Sequence, residues 1–266
     1  MAGASSFVLN ADDYGMDAGV DLAIRLLAER GIVTSTSVMT LGARWPEAAR
    51  GLLDAPLDRG LHLDLTSPFA AGRHGLGGLM AAAYARRLDR TALRRVIDLQ
   101  LDRFETALQA PPDFVDGHQH VHQLPGVRDE VIAALAARYG AAASRVRLRS
   151  CWSRRWRGVK AAVIAASGAW GLMRLARTHG FAFNSDFAGV YDFSPAAPLA
   201  ALWRGWLGGM MGPEPLAMCH VGVDADGPYG DDPIRLARVR EFEWFSSAGF
   251  GELCEQLGVL PGRAPR

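Results

Sequence analysis

Asp116-Gly117-His118-Gln119-His120-Val121-His122 holds three of the chain's seven histidines, each separated from the next by one residue. In an extended strand, residues i, i+2 and i+4 face the same way. The spacing therefore predicts one row of His118, His120 and His122, headed by Asp116. Phe114 and Val115 run into it as an apolar approach, and Leu124-Pro125-Gly126 follows as a turn signal. The expectation is a short strand ending in a histidine-lined mouth. Same-face neighbours on a strand lie roughly 6.6 Å apart, from a rise of about 3.3 Å per residue. One metal ion therefore takes one or two of the three histidines, and the others serve elsewhere. A histidine-rich surface run is the alternative, and the apolar, non-repetitive flanks speak against it.

Working outward, other strands end in the same manner. Phe7-Val8-Leu9 reads as a buried first strand that stops at Asn10-Ala11-Asp12-Asp13-Tyr14-Gly15. Two adjacent carboxylates then stand at the carboxyl end of an apolar strand, where α/β proteins gather their ligand residues. A solvated Asp-Asp turn is the competing reading. Residues 17–30 have helical periodicity closed by Gly31, residues 32–41 read as a second strand, and 45–53 as a helix. In Gly60-Leu61-His62-Leu63-Asp64-Leu65-Thr66, alternation points His62 and Asp64 together, away from the leucines. Residues 68–78 read as a Gly-rich loop over the site, with His74 in it, and 88–110 as a long amphipathic outer helix. Beyond the histidine stretch, 126–139 and 158–179 read as helices and 146–149 as a strand. Phe183-Asn184-Ser185-Asp186-Phe187 reads as a substrate-site wall, bearing Asp186, or as a turn. Leu216-Ala217-Met218-Cys219-His220-Val221-Gly222 is the last strand-like run, with His220 at its tail. Residues 235–247 form the final helix, with Arg238, Arg240, Glu241 and Glu243 assigned to exposed faces. Strands alternating with helices predict an α/β fold with mainly parallel strands, in one domain spanning 1–266.

Composition narrows the partners. With 49% apolar residues the chain can bury a full core. Its 29 basic and 28 acidic residues argue against a nucleic-acid partner. Three cysteines without a C-x-x-C pair read as reduced thiols, and no export signal opens the chain, so a cytoplasmic location is expected. The Trp-bearing stretch 153–160 is locally basic, and 161–173 is apolar but shorter than the roughly 17 residues a membrane span needs. No integral membrane segment is expected. The apolar face offers itself to the body of the protein or to a second copy in a homodimer. A peripheral membrane contact through Arg154, Arg155 and Arg157 is the other reading.

Asp12 and Asp13, His62, the histidine row and His220 each end a separate predicted strand. An Asp with two His and vacant positions suits a catalytic divalent ion. A second carboxylate can then act as general base and a histidine across the site as general acid, which is the equipment for hydrolysing an amide or ester. At these residues the chain resembles the YdjC-like (ChbG/HpnK-type) carbohydrate deacetylase family. The matching pieces are residues 10–15, Gly31-Ile32-Val33-Thr34-Ser35-Thr36-Ser37, residues 60–66, residues 116–122 and Met218-Cys219-His220, in the family's order.

The resemblance implies a distorted TIM-like (β/α) barrel, one divalent metal ion, and removal of an acetyl group from an N-acetylated sugar of the N-acetylglucosamine type. Carried over by position, it makes Asp13, His62 and His118 the metal ligands, Asp12 the base and His220 the acid. His120 and His122 become substrate contacts or supports of the ligand shell, and Asp116 and Asp186 join them as candidates. The metal is Mg or Zn, with Mn, Co or Ni also compatible. Two departures from the family pattern stand out: Val221-Gly222 where Pro-Gly is usual, and Gln119 interrupting the histidine run. The rival readings are a deacetylase of a glycolipid or hopanoid-type intermediate and a non-catalytic metal- or sugar-binding protein. A metallophosphoesterase would ask for more carboxylates bridging two metals.

Overall fold

The structure, a computed structural model, describes residues 5–70, 75–223 and 232–264; His74 lies outside them. Its centre is strand β1 (Ser5–Tyr14), whose residues from Phe7 onward are all buried. Burial on both faces is the mark of a parallel strand covered by helices. β2 (Ser35–Val38), β3 (Asp58–Leu63), β4 (Phe114–Gly117) and β5 (Arg147–Leu148) follow to one side. β7 (Pro215–Cys219) and β6 (Asp186–Ala188) follow to the other, giving the order β5-β4-β3-β2-β1-β7-β6 with every pair parallel. A last short strand, β8 (Val259–Pro261), pairs with the start of β1.

The two edges curl toward each other. Leu148 and Phe183 form a parallel bridge, and the Asn184 side chain accepts from Ser150 N at 2.7 Å and donates to Ser150 O at 2.9 Å. An amide side chain thus replaces a missing strand pair, and the sheet becomes an incomplete, distorted barrel. Gly60 is required inside it. A Cβ there would lie 2.2 Å from the Phe114 ring on the neighbouring strand.

Helices cover the outer face. α1 (Ala18–Glu29) is capped by Asp17, whose carboxylate accepts from Gly19 N, and it buries Val20, Ile24 and Leu27 at helical spacing. The long α4 (Arg90–Leu108), capped by Asp89, buries Leu93, Ile97, Leu101, Phe104 and Leu108. It also buries Gln100, which bonds both backbone groups of Asp64. Asp64 in turn accepts from Thr66 N and Ser67 N, so it shapes the turn after β3 and does not accompany His62. The remaining layer comprises α2 (Trp45–Ala48), α3 (Leu76–Tyr84), α5 (Val127–Tyr139), α6 (Val159–Ala166), α7 (Ala169–Thr178), α8 (Leu199–Leu207), α9 (Arg235–Ser246) and α10 (Ala248–Leu257).

The helix expected over 158–179 is two helices bent by 43°. Gly168, at φ +150°, makes the break. The sequence does not anticipate helices α3, α8 and α10 or strands β6 and β8: α3 begins within the stretch read as a loop over 68–78, and β6 within the stretch read as a wall or turn over 183–187.

Candidate active site

On a regular strand, Asp12 and Asp13 would face opposite ways. Here the β1–β2 register shifts between Ala11 and Tyr14, and Asp13 adopts φ +72°. Such an irregularity re-aims a side chain, and aspartate is among the few residues that tolerate this left-handed region. Both carboxylates consequently enter one pocket at the carboxyl end of the sheet.

Asp13 Oδ1 lies 3.3 Å from His62 Nε2 and 3.1 Å from His118 Nδ1. Ligand atoms about 2.1 Å from one ion and at right angles are about 3.0 Å apart, so the three donors fit a shared cation. His62 is oriented for that role. Its Nδ1 faces Asp116 Oδ1 at 2.6 Å, and Ser37 Oγ donates to Asp116 Oδ2 at 2.5 Å. A carboxylate behind the ring fixes the tautomer that leaves Nε2 as a donor to metal.

Charge points the same way. Among the described residues, the cations that pair with Asp12, Asp13 and Asp116, all buried, are the guanidinium groups of Arg149 and Arg238, and Arg238 is shared with Asp232. With neutral histidines the cluster holds excess negative charge, which is costly in a dry interior. Burial alone would lower the His62 pKa, but Asp116 and then Asp12 outweigh it and raise it to about 10. A ring proton therefore balances the charge when no cation does.

Asp12 sits beside this group and is held by others. Arg149, whose side chain is 0% exposed, donates to Asp12 Oδ1 at 2.6 Å and Oδ2 at 3.0 Å, and its Nη1 is 3.1 Å from Asp116 Oδ2. Asn10 Nδ2 donates to Asp12 Oδ1 at 2.6 Å. Burial would raise the Asp12 pKa, but Arg149, then His62 and His220, hold it well below the usual carboxylate range. Asp13 is likewise held low against burial, chiefly by Arg238, whose Nη2 donates to Asp13 Oδ2 at 2.7 Å.

Across the pocket, His220 Nε2 is 3.9 Å from Asp12 Oδ2, and its ring meets Phe193 edge-on at 4.9 Å between centroids. Burial is the main reason its pKa falls to about 4, so the ring is neutral near pH 7. Its backbone N–H donates to Glu241 Oε2 at 2.7 Å, while Tyr191 Oη donates to Glu241 Oε1 at 2.7 Å. Burial pushes Glu241 up to about 7.

The single histidine row does not form. β4 ends at Gly117, and Gln119 and His120 take φ +52° and +61°, so the chain turns tightly and the three rings part. His118 joins Asp13. His120 places Nδ1 3.4 Å from Cys151 Sγ and packs edge-on against Phe187. His122 is buried beneath, its Nε2 2.7 Å from Arg149 O. It supports the strand that presents Arg149. A Cβ on Gly117 would stand 3.0 Å from His122 N, a tight contact that a larger residue could keep only if the turn shifted by a few tenths of an ångström.

Asp186 lies apart from these groups. It is fully buried and accepts from Arg154 N, Phe187 N, Met211 N and Arg157 Nη2, so its carboxylate ties loops together. Arg238 and Glu241, expected on an exposed face, are both buried. They share the inward stripe of α9 with Ala237 and Phe245, and that spacing was the available signal. Arg149 is a further site residue that the sequence does not single out. It follows β5 directly, at the carboxyl end of a strand, as Asp12 and His62 do.

The chain matches the YdjC-like protein family over residues 6–256. A carbohydrate deacetylase of Mus musculus is 33% identical over 148 residues, 50% of this chain and 47% of that protein. A chitooligosaccharide deacetylase of Serratia marcescens is 32% identical over 130 residues, 45% and 51% respectively. The chain thus aligns with about half the length of these relatives. Among solved structures, an Enterococcus faecalis protein assigned provisionally to cellobiose-phosphate cleavage superposes with a TM-score of 0.74 at 20% identity, covering 98% of both chains. A peptidoglycan N-acetylglucosamine deacetylase superposes with a TM-score of 0.53 at 11% identity, covering 99% of this chain and 87% of that one. At such identities the superpositions establish the parallel, curled α/β fold alone. The family match, running through every strand that lines the pocket, establishes more: the chain belongs to the YdjC-like family.

Proposed function

We propose that this protein is a metal-dependent hydrolase that removes the acetyl group from an N-acetylated sugar of the N-acetylglucosamine type. The observation that carries the reading is the convergence of Asp13, His62 and His118 on one point, with Asp12 and His220 facing each other beside it. Relatives named as carbohydrate and chitooligosaccharide deacetylases support the substrate class. A divalent cation on the three ligands would supply a Lewis acid for the amide carbonyl and a water of lowered pKa. Two imidazole nitrogens and one carboxylate oxygen favour a zinc-like ion over magnesium.

The chain's own groups then divide the proton work. Asp12, ionised at neutral pH and kept rigid by Arg149 and Asn10, is the carboxylate beside the three ligands and takes the proton of the attacking water; its guanidinium partner makes it a weak base, so that proton passes on readily. The departing amine needs one proton. His220, neutral beforehand and 3.9 Å from Asp12 Oδ2, is placed to pass it on. Arg238 holds Asp13 in its ligand position, and Asp116 holds the His62 tautomer. Glu241, bonded to the His220 backbone, and Tyr191 fix the far wall.

Asp12→Asn separates binding from chemistry. Turnover is expected to fall by about 10²–10⁴, the range for losing a general base, while metal stoichiometry stays the same. A variant that keeps wild-type turnover would remove Asp12 from the mechanism.

A further inference from the structure

No acidic residue occurs from Cys151 through Ser185, a stretch holding Arg154, Arg155, Arg157, Lys160, Arg174 and Arg177 in a chain whose net charge is +1. The same stretch carries much of the molecule's exposed apolar surface. Trp156 is 73% exposed, Val159 69% and Trp170 63%, with Trp152 and Val163 also exposed. Val159 and Val163 lie one turn apart on α6, and Trp170 stands in the first turn of α7 beyond the bend; all three face outward. Arg174 stacks on Trp170, its guanidinium carbon 5.6 Å from the ring centroid.

The opposite side is anchored to the body. Ala161, Ala169, Leu172 and Ala176 are buried, and Gln123 Nε2 donates to Ile164 O at 2.6 Å and to Ser167 Oγ at 3.0 Å. No single helix among the described residues is long and apolar enough to cross a membrane. The bent pair lies along the surface and is tied to it. Arg157, expected on this face, turns inward onto Asp186 at 2.8 Å.

We infer that this face docks the protein on an anionic bilayer surface, with tryptophans at the headgroup level and arginines meeting lipid phosphates. Exposed tryptophans beside an apolar stripe rimmed by cations are the chemistry of an interfacial helix. A second copy of the chain fits poorly. A two-fold contact sets the patch against itself, and cations would then face cations with no carboxylate from the segment between them.

The same segment also reaches the candidate site. Lys160 Nζ sits 4.4 Å over the Phe193 ring that packs against His220, and beneath the face the buried Cys151 Sγ lies 3.4 Å from His120 Nδ1. On the deacetylase reading, on which only this step rests, docking brings the site mouth to an N-acetylated sugar carried on a lipid.

The test is co-sedimentation of the full chain, without substrate, with vesicles of phosphatidylcholine alone and of phosphatidylcholine with phosphatidylglycerol. Binding is expected to the anionic vesicles only, and to weaken as salt shortens the Debye length. Arg155→Gln with Arg174→Gln should lower the partition coefficient on the order of thirtyfold, from roughly a factor of five per basic residue at an anionic surface. Trp156→Ala with Trp170→Ala should lower it independently. No binding to anionic vesicles at low salt would overturn the inference. So would equal binding to both lipids, or a wild-type dimer that the tryptophan variant dissolves. Because vesicle binding is read without turnover, a protein that binds but releases no acetate refutes the deacetylase reading alone.

Discussion

Replacing Arg149 by methionine should destabilise the protein by about 3–5 kcal/mol at neutral pH, the cost of leaving a buried charge without its partner. The geometry sets that expectation. The guanidinium is 0% exposed, holds Asp12 through two bonds of 2.6 and 3.0 Å, and lies 3.1 Å from Asp116. Methionine keeps much of the volume, so the loss is chiefly electrostatic. The sign with pH follows from Asp12. In the wild type its folded pKa lies below the unfolded value, so the contribution is present above the unfolded pKa and lost as pH falls through the folded one. Without Arg149, the largest opposing influence on burial is gone, and the pKa of Asp12 rises. The stability gap between wild type and variant should therefore widen from pH 4 to pH 8. With a urea dependence of about 3 kcal/mol per molar, the midpoint moves by about 1–1.7 M at the upper end. Adding Asp12→Asn should recover part of the loss, because the buried group beside the cavity is then neutral. A loss below about 1 kcal/mol, or one that does not change with pH, would refute this reasoning.

Further consequences can be measured on the same preparation. Asp13→Ala should abolish stoichiometric binding of a divalent metal by calorimetry, since it removes the oxygen shared by both histidines; retained affinity would place the cation elsewhere. Glu241→Gln should flatten the pH dependence of stability. The folded pKa of about 7 exceeds the ordinary 4.5, so stability present below pH 4.5 is lost as pH rises through 7. Thermal midpoints of wild type and variant should converge below that window and differ above it.

The fold was legible because its strands announce themselves at their ends. Phe7 to Tyr14, Gly60 to Leu63 and Leu216 to Cys219 are apolar runs closing on Asp, His and His, and each pairs in parallel as expected. Asp12, Asp13, His62, His118 and His220 do gather in one pocket. What was not legible depends on single backbone angles. The left-handed turns at Gln119 and His120 split the histidine row, and the one at Asp13 aims two neighbouring carboxylates into one pocket. Alternation cannot foresee either. Arg149 and Glu241 were missed for another reason: charged residues default to the surface in any sequence reading, and only tertiary partners reverse that. Helix α10 follows α9 after a single residue, Ser247, so the two read as one periodic run with its tail.

Acetate release tests the central claim most directly. The protein would be stripped with a chelator and reloaded separately with zinc, cobalt, nickel, manganese and magnesium. It would then be assayed on N-acetylglucosamine, its short oligosaccharides and lipid-linked N-acetylated sugars. Acetate appearing only after reloading, and lost in Asp12→Asn, is the expected result. A folded protein that binds one metal ion and releases no acetate from any of these substrates would contradict it.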